Sequence, residues 1–214
     1  MLVAVDIGVS GGIAIEHDDG RIELKTPAIY TETKRSEGKR LKQAKELEIA
    51  IAAAVKSGDT KLYKKLVTSY ELRIKSSKNF YDLKKLPKCV PEGKGHFILE
   101  NVSRMPHDSA HNASLLMEGK GFYRGIAACR GLQETLVMPA VWKKALGLAT
   151  GATKKDSIEL ARKLYPDLAP QLTTKQYSKN LDGVAEALLL LYYLKNFIIN
   201  PPEKPVKTKK KKNG

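Results

Sequence analysis

Two cysteines, Cys89 and Cys129, are all that the 214 residues contain. They are too few for a disulfide framework or a cysteine-built zinc site, which points to a reducing compartment. No apolar run approaches the roughly 20 residues a membrane span needs. The start of the chain also has no basic region followed by an apolar one, so secretion is not expected and the expected location is cytoplasmic. No Ser-His-Asp set and no Walker-type phosphate loop stands out, leaving nucleophilic-serine and nucleotide-driven mechanisms without an anchor. His107 and His111 stand four apart beside Asp108, but no further His or Cys follows at a suitable spacing to complete a zinc set.

What the sequence does have is positive charge. Thirty-eight Lys and Arg against 23 Asp and Glu give a net charge of +15, and the isoelectric point is near 9.7. Each phosphate neutralised by such side chains releases a condensed counterion, so the excess favours a nucleic-acid partner over a merely solubilised surface. Hydrophobic residues at 42% and charged ones at 29% describe a globular protein. The length suits one domain with additions.

Residues 1–24 set the frame. Two short runs rich in Val and Ile flank a glycine corner, Gly8 with Gly11 and Gly12, and read as a strand, a tight turn and a returning strand. Asp6 sits near the end of the first run, where a charge is tolerated only if something pairs with it, commonly a metal ion. Residues 21–27 alternate polar and apolar and form a third strand. From residue 34 the spacing turns helical through Leu41, Ala44, Leu47, Ile51 and Val55, stops at residues 57–60, and resumes through Leu62, Leu66 and Ile74. This is a basic helical hairpin over residues 34–78, either a DNA-gripping or dimer-forming arm or an ordinary amphipathic pair with a solvated lysine face.

Further on, residues 81–86 are expected in another helix. Residues 96–102 form a short apolar run with Glu100 inside it, residues 114–132 a helix with small residues, and residues 134–138 a strand. Short helices follow over 141–148 and 154–165, then a loop over 167–180. The last helix is apolar nearly all round and is interrupted by Asp182 and Glu186. Residues 201–214, rich in Pro and Lys, have nothing to bury and read as a disordered basic tail.

The acids that break apolar segments are Asp6, Glu100, Asp182 and Glu186. Asp182 and Glu186 lie four apart and share a helix face, which the apolar surroundings turn inward. Four carboxylates converging in a core repel unless cations intervene. Oxygen-only ligands suit Mg²⁺ or Mn²⁺, and two such ions about 3.5–4 Å apart form the clamp used for in-line attack on a phosphodiester. Trp142 reads most simply as a packing residue.

With these residues in view, the chain resembles a RuvC-type Holliday junction resolvase, in the phage-like branch of that family within the ribonuclease H-like superfamily. The matching pieces run from Val5-Asp6-Ile7-Gly8 through Ser10-Gly11-Gly12, then Ile98-Leu99-Glu100-Asn101-Val102 with Met105-Pro106, then Gly119-Lys120-Gly121 and Gly125. They continue with Pro139-Ala140-Val141-Trp142-Lys143-Lys144 through Leu148, Lys155-Asp156-Ser157 through Pro166, and Asp182-Gly183-Val184-Ala185-Glu186. The resemblance implies an α/β fold with a five-stranded mixed sheet, three antiparallel strands first and helices on both faces. It also implies a homodimer that cuts four-way DNA junctions with divalent metal, leaving 5′-phosphates. Asp6, Glu100, Asp182 and Glu186 would be its metal-binding catalytic acids. Lys143, Lys144, Lys154, Lys155 and Arg124 are candidates for phosphate contact, on charge as much as on resemblance.

Three departures accompany the likeness. The hairpin over residues 34–78 has no counterpart in the compact family pattern and reads as an insertion in a nuclease domain spanning residues 1–200. Ser103 stands where bacterial members carry an aromatic wedge, leaving Met105, Phe122 or Tyr123 as substitutes. The closing acids are spaced by four instead of three. Two other readings stand beside the resolvase: a ribonuclease H-like nuclease acting on other branched DNA or on RNA–DNA hybrids, and an actin-like nucleotide-binding protein suggested by the Asp-x-Gly turn.

Overall fold

A computed structural model of the chain describes all residues except 9, 32–33, 76–78, 103–109, 150 and 203–214. Two compact units emerge, one formed by residues 1–27 and 83–214, the other by residues 28–82.

The first unit is built on a five-stranded sheet. Strands β1 (Leu2–Asp6), β2 (Gly12–Glu16) and β3 (Ile22–Lys25) form an antiparallel meander. The second unit supplies β4 (Ile29–Thr31) and β5 (Asn79–Tyr81), a separate antiparallel pair. Strands β6 (His96–Glu100) and β7 (Gln133–Val137) then join the large sheet parallel to β1, giving the order β3-β2-β1-β6-β7. Three antiparallel strands followed by two parallel ones make the five-stranded mixed sheet that was expected.

The second unit also holds helices α1 (Lys34–Lys56) and α2 (Thr60–Lys75), which pack on each other. In the first unit follow α3 (Ala110–Cys129), α4 (Pro139–Ala145), α5 (Lys154–Leu164), the single turn α6 (Thr174–Tyr177) and α7 (Leu181–Tyr193), which runs on into a π-type segment, Leu194–Ile199.

Both faces of the sheet are covered, and strand parity tells them apart. Ala4, Ala14 and Ile98 belong to the core built around α7, which buries Val184, Ala185 and Ala187 through Leu191. Val3, Val5, Ile13, Ile15, Phe97 and Leu99 point the other way and are equally buried. Helix α3 lies on that second side, because its Arg124 reaches Glu134, the cross-strand partner of Phe97. The near-continuous apolar runs of β1 and β6 follow from this double covering.

Two expectations need correcting. Residues 79–81 pair with β4 and residues 86–89 make one 3₁₀ turn, so no helix spans 81–86; Pro87 favours the first turn of such a short piece but cannot extend it. The expected loop over 167–180 contains the turn of α6, capped beyond Tyr177 by Ser178 at φ 49°. Cys89 and Cys129 are unbridged thiols. Apart from Pro201 and Pro202, the basic tail lies outside the described residues, as do His107, Asp108 and Met105.

Candidate active site

The site forms where β1, β6 and α7 meet. Val5 is paired with Leu99 in the parallel register, so the residues that follow, Asp6 and Glu100, leave neighbouring strands at the same height. Each stands two places after a residue facing α7, Ala4 and Ile98, and therefore faces α7 too.

Glycines bring the helix to them. The backbones of Gly11 and Gly183 touch in an isolated parallel bridge, and Asn180 Nδ2 donates to the Gly11 carbonyl oxygen at 3.2 Å. Gly8, at φ 141°, turns the chain between the strands, and the Gly11 amide donates to its carbonyl at 3.1 Å. With Gly183 seated on this corner, Asp182 and Glu186, one turn apart, come over the strand ends. The opening turn is thus a docking surface for α7 as well as a bend.

Asp6 lies within electrostatic reach of the other three acids. Burial holds the Asp6 carboxyl well above the usual carboxylate range, and the charges of Glu100, Glu186 and Asp182 push it further; Lys143 offsets only part of this. Glu100 is 6% exposed. Its carboxyl is raised chiefly by burial, with Glu186 adding to the rise and the Trp142 indole and Lys143 opposing it. The Trp142 Nε1–H donates to Glu100 Oε1 at 2.9 Å.

The two helix acids are held by cations. Glu186 Oε1 accepts from Lys143 Nζ and from the buried Ser157 Oγ, each at 2.9 Å. Lys154 pairs with Asp182, which holds its ammonium above the ordinary lysine value. Lys154 opens α5 one residue after Thr153, whose hydroxyl and backbone exchange hydrogen bonds with Asp156 in a capping box. Lys143 lies in the last turn of α4, 5.1 Å from the centre of the Trp142 ring.

Asp6, Glu100, Asp182 and Glu186 are therefore brought together. Lys143 and Lys154 join them as partners of the carboxylates, while their neighbours Lys144 and Lys155 are exposed. Arg124 is not part of this group: its guanidinium grips Glu134 at 2.7 and 2.9 Å on the opposite face of the sheet. Tyr123 is fully buried, which removes it as a wedge, and Phe122 is half-buried. Trp142 packs as expected but also donates to an acid, and Ser157 holds another. Nothing in the spacing of either residue announces its partner, which lies 42 or 29 positions away.

The donor set is oxygen-only and short of positive charge, which fits a hard divalent cation. Among the described residues, however, no group of three or more acid, histidine or cysteine side chains is gathered closely enough to hold a metal ion as it stands. Two of the four carboxylates, on Asp182 and Glu186, are instead paired with Lys154 and Lys143.

No family model matches the chain, and no curated protein does. Among solved structures, Thermus thermophilus RuvC is similar with a TM-score of 0.43 and 13% identity, over 91% of this chain and 95% of that one. The T. thermophilus RuvC structure in complex with a Holliday junction substrate gives 0.42 and 12%, over 91% and 94%.

Proposed function

We propose that this chain is a structure-selective endonuclease of the RuvC type, in its phage-like branch, that resolves four-way DNA junctions by paired, metal-dependent hydrolysis of phosphodiester bonds. The observation that carries the reading is the group of four carboxylates at the ends of β1 and β6 and on α7, under-neutralised within a protein of net charge +15. A buried cluster of one sign is destabilising by itself, and a function that requires a cation there explains it.

In this reading Asp6, Glu100, Asp182 and Glu186 would hold Mg²⁺ or Mn²⁺, two ions per site. Bound there, such ions would stabilise charge on a phosphodiester and lower the pKa of an attacking water. The chain's own groups do the positioning. Trp142 fixes Glu100, Ser157 fixes Glu186, and Lys143 and Lys154 keep the outer acids paired until cations replace them. Exposed Lys144 and Lys155, beside them in sequence, are the proposed phosphate contacts. A homodimer acting in the cytoplasm would make two symmetric nicks and leave 5′-phosphates.

The test is a panel of labelled substrates in Mg²⁺: a mobile four-way junction, a flap, a linear duplex and an RNA–DNA hybrid. Paired symmetric nicks on the junction are expected. Preferential cutting of the hybrid or flap would replace the junction reading with a related nuclease, and no cutting of any substrate would contradict the assignment.

A further inference from the structure

The positive charge of this chain is not spread along it. Residues 34–75, the span of α1 and α2, hold twelve Lys and Arg against five Asp and Glu, a net of +7. Residues 203–214 hold six lysines and one glutamate, a net of +5. Only +3 remains for everything else, including the whole five-stranded sheet and its site.

Several cations of that remaining part are paired with its own acids. Lys143 is paired with Glu186, Lys154 with Asp182, Arg124 with Glu134 and Lys195 with Glu16. A nearly neutral body whose catalytic centre is acidic has little means of attracting a polyanion by itself.

The hairpin is the opposite case. On α1, Gln43, Leu47, Ala50, Ile51 and Ala54 are the covered positions and recur on one side. Lys42, Lys45 and Lys56 stand on the other side, all exposed, and span about 21 Å at 1.5 Å per residue, with the exposed Ile49 between them. On α2, Leu66 and Val67 are partly covered and Lys61 is exposed. Lys42, Lys45, Lys56 and Lys61 make no ion pair with any described residue. Exposed Glu46 and Glu48 stand among these lysines, yet the net of +7 over the hairpin is not what an even mixture of signs would give. A span of about 21 Å runs beside some six phosphates of one DNA strand, spaced about 3.4 Å along the axis.

We propose that α1 and α2 form the chain's DNA-gripping arm, with Lys42, Lys45, Lys56 and Lys61 contacting the phosphate backbone and supplying much of the affinity, without sequence preference. The carboxylate site supplies the chemistry. This inference rests on the reading of the chain as a DNA nuclease and divides the labour within it.

The experiment compares the full chain with a variant carrying Lys42→Gln, Lys45→Gln, Lys56→Gln and Lys61→Gln, all surface changes. Binding to a labelled linear duplex and to a four-way junction is measured without divalent metal over a range of salt, beside single-turnover cleavage at saturating protein in Mg²⁺. The plot of log K against log salt should flatten by about 0.9 for each lysine that meets a phosphate, up to about 3.6. Affinity at low salt should fall at least tenfold, with the saturated cleavage rate unchanged. An unchanged slope overturns the arm, and if sedimentation then shows a lost dimer the hairpin is a subunit contact instead. If the unaltered chain binds neither DNA, the nuclease reading fails with it; normal binding with an unchanged slope removes the arm alone.

Discussion

Gly12 and Gly183 meet backbone to backbone: a Cβ on Gly12 would lie 2.4 Å from the Gly183 carbonyl oxygen, and one on Gly183 would lie 2.3 Å from that of Ser10. The contact joins the first hairpin to the start of α7, and Asp182 is the residue beside it. Gly183→Ala should therefore act twice. Forcing a methyl against backbone costs about 1–3 kcal/mol of stability. The shift it imposes on Asp182 should slow cleavage by roughly 100-fold, since a displacement near 1 Å suffices for that. Thermal melting and single-turnover cleavage measure the two effects. A variant with ordinary stability and rate would show that the close approach does not position the acid.

Asp6 should trade stability for function. Its carboxyl is raised by burial and by the neighbouring acids, so below the ordinary carboxylate range, about 4, both folded and unfolded chains are protonated and nothing is lost. As pH rises through the elevated folded value, the unfolded chain ionises more readily and the metal-free protein loses stability. Asp6→Asn removes that loss. At pH 7 without metal it should stabilise the fold by on the order of 1 kcal/mol, about 2–4 °C in melting temperature for a chain of this size. The difference should vanish near pH 4. A variant less stable than the parent at pH 7 would mean that the carboxylate is better compensated than its neighbours allow.

Metal binding should release protons. The raised Asp6 and Glu100 carboxyls must ionise to act as ligands, so apparent Mg²⁺ affinity should increase with pH across the same window. Calorimetric titration in buffers of different ionisation enthalpy measures the protons released. A heat independent of buffer would show that both acids are already ionised before the metal arrives.

Much of this architecture was legible in the sequence, because it rests on local pattern. The Val- and Ile-rich runs around Asp6 and Glu100, the helical spacing from Leu41 to Ile74 and the apolar closing helix each carry their own periodicity, and all appear close to the expected bounds. Asp6, Glu100, Asp182 and Glu186 could also be picked out in the sequence, since acids inside apolar segments demand partners. What escaped depends on contacts between distant segments. Residues 79–81 form a strand only because residues 29–31 lie beside them. The glycine corner looked like a turn alone, because its second role needs Gly183, which is 171 positions beyond Gly12. Arg124 looked like one more cation for DNA, yet the parity of β7 places its partner Glu134 on the far face.

Trp142 was hidden in the same way, and its contribution can be isolated. Trp142→Phe keeps most of the packing and removes the only indole donor in the chain from Glu100 Oε1. The lost hydrogen bond and smaller ring should cost about 1–3 kcal/mol. Loss of a group that orients a metal ligand should weaken Mg²⁺ dependence of cleavage by about 10- to 100-fold. A metal titration of the cleavage rate reads this directly, and an unaltered midpoint would confine Trp142 to packing.

Whether Asp6 and its three partners carry metal-dependent cleavage is decided by a single substitution. Asp6→Asn and the parent protein are each bound to a labelled four-way junction, and single-turnover cleavage is started with Mg²⁺. The variant should bind the junction as tightly as the parent and cut it at least about 100-fold more slowly, beyond the loss expected for a supporting residue. Cutting by Asp6→Asn at the parental rate would contradict that role.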